Sequence, residues 1–205
     1  MEKYYKSTPF FLRWIYPKAI WHKDGVDKVL YLTFDDGPSE EVTKFVLNEL
    51  EKFNAKATFF CLGLNALNLP SLVNDIVANG HKLGNHSFSH PNGFKTKVAD
   101  YVDDVKTADE VLSSKLFRPP YGKMKLRQYN ALKNDFSIVM WDVMPGDFDE
   151  SINGDVCFEN VIKKTRAGSI IVFHDTAQAF ERLKVALPKT LKYYSDLGYK
   201  FEGII

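Results

Sequence analysis

A short, almost wholly apolar run followed by an amphipathic segment recurs along this chain, and that rhythm leaves few folds open. Lys28–Phe34 sets Val29, Tyr31 and Thr33 against Leu30, Leu32 and Phe34, so both faces suit burial between layers. Ser39 then offers a helix N-cap, Glu40 and Glu41 suit the first turn, and Val42, Phe45, Val46, Leu50 and Phe53 form one apolar stripe. Ala57–Leu62 reads as the next strand, and Pro70–Asn79 as a helix with Pro70 near its start and Gly80 past its end. Lys82–His86 reads as a third strand, Lys97–Ser113 as a long helix, and Leu116–Arg118 as a very short strand. Leu126–Lys133 predicts a short helix and Ser137–Trp141 a strand. Asp155 is placed to cap a helix to Ala167, with Lys163, Lys164 and Arg166 in its last turn and Gly168 as its stop. Ser169–Phe173 is again a strand, Phe180–Leu197 a helix stopped by Gly198, and Tyr199–Ile204 closes the series.

Strands alternating with helices predict a parallel sheet with helices outside it. This many units favours a closed or nearly closed barrel, with an open doubly wound sheet as the alternative. A barrel of this kind gathers its reactive residues at the carboxyl ends of the strands. The length, 205 residues, suits one well-buried domain and is short for two. A net charge of +1 gives no electrostatic footprint for nucleic acid. Cys61 and Cys157 lack the spacing of a zinc ribbon or redox motif. Near the start, the apolar run Phe10–Ile15 is interrupted by Arg13 and ended by Pro17. It is too short to span a bilayer and lacks the form of a secretory signal. Residues 1–27 are therefore expected to be an aromatic-rich extension packing on a domain over residues 28–205. An interfacial anchor through Phe10, Phe11, Trp14 and Tyr16 is the alternative. The expectation is a monomer without a transmembrane segment, cytoplasmic or peripherally associated with a membrane.

Unusual residues fall at the strand ends. The first strand closes on Thr33-Phe34-Asp35-Asp36-Gly37-Pro38. Two adjacent carboxylates repel, and partial burial would cost both their solvation; a solvated turn or cap is the plain alternative. The third strand runs into Asn85-His86-Ser87-Phe88-Ser89-His90-Pro91. Pro91 opposes a helix across this pair of histidines, so it is not the helical pair of zinc proteases. Arg118-Pro119-Pro120-Tyr121-Gly122 holds an arginine on stiff backbone, suited to orienting a carboxylate. Trp141 to Phe148 brings Asp142 and Asp147, and Ile170–Phe173 delivers His174 and Asp175. Each fragment alone has an ordinary structural explanation. Their common placement makes them one candidate site.

Together these fragments closely resemble the polysaccharide deacetylases, the NodB-homology domain of carbohydrate esterase family four, from about Lys28 to the C-terminus. Thr33–Pro38 is similar to the first motif of that family, Gly80–His90 to the second and Arg118–Gly122 to the third. The resemblance implies an α/β fold, an irregular (β/α) barrel of about seven parallel strands with outer helices. It implies that Asp36, His86 and His90 bind a divalent metal, usually Zn2+, with Co2+, Ni2+ or Mn2+ as alternatives. Asp35 would be the general base held by Arg118, and His174 the general acid oriented by Asp147. The backbone N–H of Tyr121 would face the oxyanion, with Pro120, Trp141 and Val172 on the substrate side. His81 is read as structural, and His22 receives no role.

The implied activity is removal of N-acetyl groups from N-acetylglucosamine-type sugars of an acetylated polymer or oligosaccharide, such as chitin oligosaccharide or peptidoglycan. An acetyl-ester or non-sugar amide hydrolase is one alternative, and a catalytically silent carbohydrate-binding domain another. Three positions depart from the family pattern: Met144 replaces an acid, Phe148 a tryptophan, and Val172 a leucine beside the acetyl methyl group. None is a ligand or proton-transfer group, so they bear on substrate rather than on catalysis.

Overall fold

The computed structural model describes residues 12–25 and 27–205. A short helix α1 (Leu12–Ile15) leads to the first strand β1 (Val29–Asp35). There follow α2 (Glu40–Lys52), β2 (Ala57–Cys61), α3 (Gly63–Asn68), α4 (Pro70–Ala78), β3 (Lys82–Asn85) and α5 (Val98–Leu112). The second half runs β4 (Leu116–Phe117), α6 (Leu126–Leu132), β5 (Ser137–Ile138), α7 (Gly154–Lys164), β6 (Ile170–His174), α8 (Phe180–Asp196) and β7 (Lys200–Phe201). A 3-10 turn spans Pro120–Gly122.

Among the described residues the named strands pair in parallel, in the order β5-β4-β3-β2-β1-β6, with β7 against the start of β1. The sheet curls into an irregular barrel because one stretch of chain touches both its edges. Ile138 pairs with Phe117 of β4, while Val143, a few residues on, bridges to Ile171 of β6. This explains why the strand expected over Ser137–Trp141 is regular only at Ser137–Ile138: the chain must leave one edge to reach the other. Ile20 also bridges to Val139.

The two-residue side-chain period of a strand divides the core. Leu30, Leu32 and Phe34 of β1 face outward and join Phe59, Ile171 and Phe173 under α2, α7 and α8. Each such side chain, fully removed from water, contributes about 1.5–3 kcal/mol. Tyr31 faces inward, packing with Phe60, Val139, Ile170 and Ile204. A third cluster lies under α5 and α6, where Tyr16 and Trp21 pack with Tyr101, Phe117 and Tyr129. Trp14 is 73% exposed, and Phe10 and Phe11 lie outside the described residues. Among the described residues no helix is long and apolar enough to cross a membrane.

Two expected caps differ in the structure. Ser39 occupies the N-cap position of α2, but its hydroxyl donates to the Asp175 carbonyl at 2.8 Å instead of capping the helix. Asn153, not Asp155, caps α7, accepting from the Val156 N–H at 3.0 Å. Asp155 sits inside the first turn, where its charge still suits the helix dipole.

Gly84 of β3 shows how tightly the interior is filled. A Cβ there would lie 2.3 Å from the Phe60 ring, and that ring lies 4.1 Å from the guanidinium carbon of Arg118. Gly84→Ala should therefore cost about 1–3 kcal/mol of stability, read as a lowered denaturation midpoint. Adding Phe60→Leu should recover part of the loss. An unchanged midpoint in the single variant would mean that the ring has room to move.

Candidate active site

Inward-facing positions at the carboxyl ends of the strands converge. Asp35 is the last residue of β1 and stands in register with His174, the last of β6. Arg118 follows β4 and is fully buried. Its Nη1 donates to Asp35 Oδ1 and to Thr33 Oγ1, both at 2.7 Å. Its Nη2 donates to the Met140 carbonyl at 3.0 Å, and its Nε to the Val139 carbonyl at 3.3 Å. Burial works to lower the pKa of this guanidinium, and Asp35 opposes that shift.

Beside this pair stand Asp36, His86 and His90, whose ligand atoms all lie within 4.8 Å of one another. Asp36 Oδ1 is buried without a hydrogen-bond partner, 3.3 Å from His86 Nε2 and 3.1 Å from His90 Nε2. His86 Nδ1 lies 2.8 Å from the Arg118 carbonyl, which can only accept, so Nδ1 carries the proton. In neutral His86 the Nε2 lone pair is then left facing Asp36 Oδ1. Two acceptors facing each other call for a cation between them. Tetrahedral ligands about 2.0–2.2 Å from one ion stand about 3.3–3.6 Å apart, close to the spacing found. The residues fit a divalent metal. Burial works to raise the Asp36 pKa; when the imidazoles are protonated instead, the close approach of His86 and His90, with charge on His86 and His174, outweighs it and holds the carboxyl well below the ordinary range.

His174 has a different partner. Its Nδ1 lies 2.9 Å from Asp147 Oδ1, and its backbone N–H donates to Asp147 Oδ2 at 2.7 Å. Burial opposes charge on the imidazole; Asp147 leads the groups that outweigh it, with Asp36 and Asp35, and the pKa is pushed up to about 9. Phe148 sets its ring edge-on to His174 at 5.2 Å. Tyr121 packs on His90, ring to ring at 4.5 Å, and the preceding Pro120 is buried. Trp141 stacks against Gly122, where a Cβ would meet its ring at 2.5 Å. Val172 is fully buried, in register with Thr33. His81 lies apart, its Nδ1 accepting from the Ala57 N–H at 3.2 Å, and burial with nearby Lys56 lowers its pKa to about 4.

Two residues at the site escaped the sequence reading of roles. Asp175 is buried with Thr43 donating to its carboxylate, and burial, with Asp36 and Asp35 nearby, pushes its pKa up to about 7. Asn65 donates from Nδ2 to the Asp36 carbonyl at 2.8 Å. The place of Asp175, directly after His174, was a signal in the sequence. Asn65 carried none. Backbone strain also marks the site: Asp36, Ser87, His90 and Tyr121 all have φ between 59° and 74°, in the left-handed region. For residues other than glycine that conformation is costly, and it clusters where a fixed geometry is required.

A family model described as polysaccharide deacetylase matches residues 22–135. The chain belongs to the polysaccharide deacetylase family. It is 35% identical to a peptidoglycan-N-acetylglucosamine deacetylase of Bacillus cereus over 203 residues, covering 95% of this chain and 73% of that one. It is 33% identical to a chitooligosaccharide deacetylase of a Bradyrhizobium species over 154 residues, covering 71% and 70%. The crystal structure of the Bc1960 peptidoglycan N-acetylglucosamine deacetylase superposes with a TM-score of 0.88 at 32% identity, covering 96% of this chain and 95% of that one.

In this polysaccharide deacetylase the Arg118–Asp35 pair is sealed from water, so breaking one side of it leaves a buried charge unmet. Arg118→Met should cost about 3–5 kcal/mol in denaturant unfolding. Combining it with Asp35→Leu should return a large share. A single-variant loss below about 1 kcal/mol would contradict the reading of this pair as fully desolvated.

Proposed function

We propose that this chain hydrolyses N-acetyl groups from N-acetylglucosamine-type units of an acetylated glycan, using a divalent metal held by Asp36, His86 and His90. The observation that carries this reading is the convergence of Asp36 Oδ1 with two imidazole nitrogens beside an independently anchored carboxylate, Asp35. One carboxylate and two imidazoles suit zinc, and Co2+, Ni2+ or Mn2+ can take the same donors. Bound there, the cation supplies Lewis-acid polarisation of the acetamide carbonyl and makes water a better nucleophile.

The protein residues supply the proton chemistry. Asp35 takes the proton of the attacking water; Arg118 on Oδ1 fixes its orientation, and its Oδ2 lies toward the metal group, 4.0 Å from His86 Nε2. The Tyr121 backbone N–H faces the oxyanion as the carbonyl carbon becomes tetrahedral. His174 protonates the nitrogen as the C–N bond breaks, so acetate and a free amine leave. Asp147 on Nδ1 keeps the transferable proton on Nε2. The relatives that act on peptidoglycan and on chitooligosaccharide support an amino-sugar polymer as substrate.

Acetate and free-amine release from a panel of acetylated glycans tests the reading; acetate released without amine would mark an esterase instead. Chelation should abolish release while leaving the fold intact, because a barrel of this size has a sufficient core without a metal. Unfolding on chelation would indicate a structural site.

The adjacent acids should separate. Asp36→Asn should weaken metal binding, and excess metal should restore part of the activity. Asp35→Asn should bind metal normally and lose about 10²–10⁴-fold in rate, with no rescue by metal. The opposite pattern would reverse the assignment.

His174 must be protonated to act, and Asp147 raises its pKa. Removing that charge with Asp147→Asn should lower the pKa, moving the alkaline limb of the rate profile to lower pH. An unmoved limb would exclude His174 as the group that titrates there.

A further inference from the structure

Between β2 and α3 the chain makes contacts that a helix start does not ordinarily make. α3 begins at Gly63 with no capping side chain, although the first amide N–H groups of a helix need acceptors. The acceptors come from the two loops that carry Asp36, His86 and His90. Leu62 N–H donates to the Gly37 carbonyl at 2.9 Å, Gly63 N–H to the Ser87 carbonyl at 2.9 Å, and Leu64 N–H to the Phe88 carbonyl at 3.2 Å. Asn65 adds the Nδ2 bond to the Asp36 carbonyl at 2.8 Å. Successive residues thus tie the Asp36 turn to the His86–His90 loop. Close approach is essential, since a Cβ at Gly63 would meet the Phe88 ring at 2.6 Å and Ala108 Cα at 3.0 Å.

Asp36 is where such a hold is needed. Its φ of 74° lies in a region L-residues adopt at a cost, and from that backbone its Oδ1 reaches both imidazoles. The other bonds of this clamp come from main-chain N–H groups. The Asn65 amide is the clamp bond to Asp36 itself, and it is the one a substitution deletes cleanly.

We infer that Asn65 is a positioning residue for Asp36, setting the affinity of the site for its divalent cation by holding the ligand's backbone in its left-handed turn. This rests on the reading of Asp36 as a metal ligand. Groups that orient a metal ligand ordinarily govern about 10–100-fold in affinity.

The experiment titrates Zn2+ against a competing chelator in the full chain, with thermal melting of the metal-free protein alongside. It compares wild type, Asn65→Ala, Asn65→Asp, Asp36→Asn and Asn79→Ala. Asn79 is the control, because its amide makes a bond of the same length, 2.8 Å, to the Asp75 carbonyl within α4's end. Both Asn65 variants should lose about tenfold or more in Zn2+ affinity. Their metal-free melting should fall no further than that of Asn79→Ala, and saturating Zn2+ should restore kcat. Unchanged affinity in both Asn65 variants, with affinity lost in Asp36→Asn, would overturn this inference alone. So would a lowered melting temperature with unchanged affinity, the mark of a merely structural bond. Unchanged affinity in Asp36→Asn would overturn the ligand reading beneath it.

Discussion

A guanidinium with no exposure to solvent lies inside this barrel, and the site is arranged around the way its charge is met. An arginine cannot shed its proton there, so every donor must find an acceptor or the barrel loses several kcal/mol. Arg118 finds them in Thr33 and Asp35 of β1 and in the Val139 and Met140 carbonyls past β5, with the Phe60 ring of β2 against its plane. Meeting one buried charge therefore fixes several strands relative to one another. It also fixes two pieces of chemistry, because the side chain of Arg118 orients Asp35 while its carbonyl accepts from His86 Nδ1 and sets that imidazole's tautomer.

Asp35 and Asp36 are neighbours in sequence with opposite surroundings, and the end of β1 separates them. Asp35 is still extended strand, so its side chain falls on the inner face beside Arg118. Asp36 turns into the left-handed region, and its carboxylate swings to the two imidazoles. One acid is matched to a fixed organic cation, the other to a place where a metal fits. Adjacent carboxylates that would repel in a simple turn are each given a positive partner.

The alternation of buried strands and amphipathic helices was legible because β1 and β6 are apolar on both faces, a pattern that parallel sheets need. The site was legible because Asp35, His86, Arg118 and His174 all sit at strand ends. What stayed hidden was set by contacts between distant residues. α3 shows no helical apolar stripe, since Leu64 and Leu67 face solvent, and its first amides are satisfied by Gly37, Ser87 and Phe88 rather than by a local cap. Ser39 was drawn from its helix by the Asp175 carbonyl, far along the chain. Asn153 and Asp155 are both plausible caps by composition, and only the backbone conformation chooses Asn153.

The division of labour between the adjacent acids is the central claim, and anomalous scattering at the zinc edge from crystals soaked in Zn2+ tests it most directly. The account predicts one strong peak about 2.0–2.2 Å from Asp36 Oδ1, His86 Nε2 and His90 Nε2, with Asp35 still bonded to Arg118 and outside the coordination sphere. A peak coordinated by Asp35, or none at these residues, would contradict it.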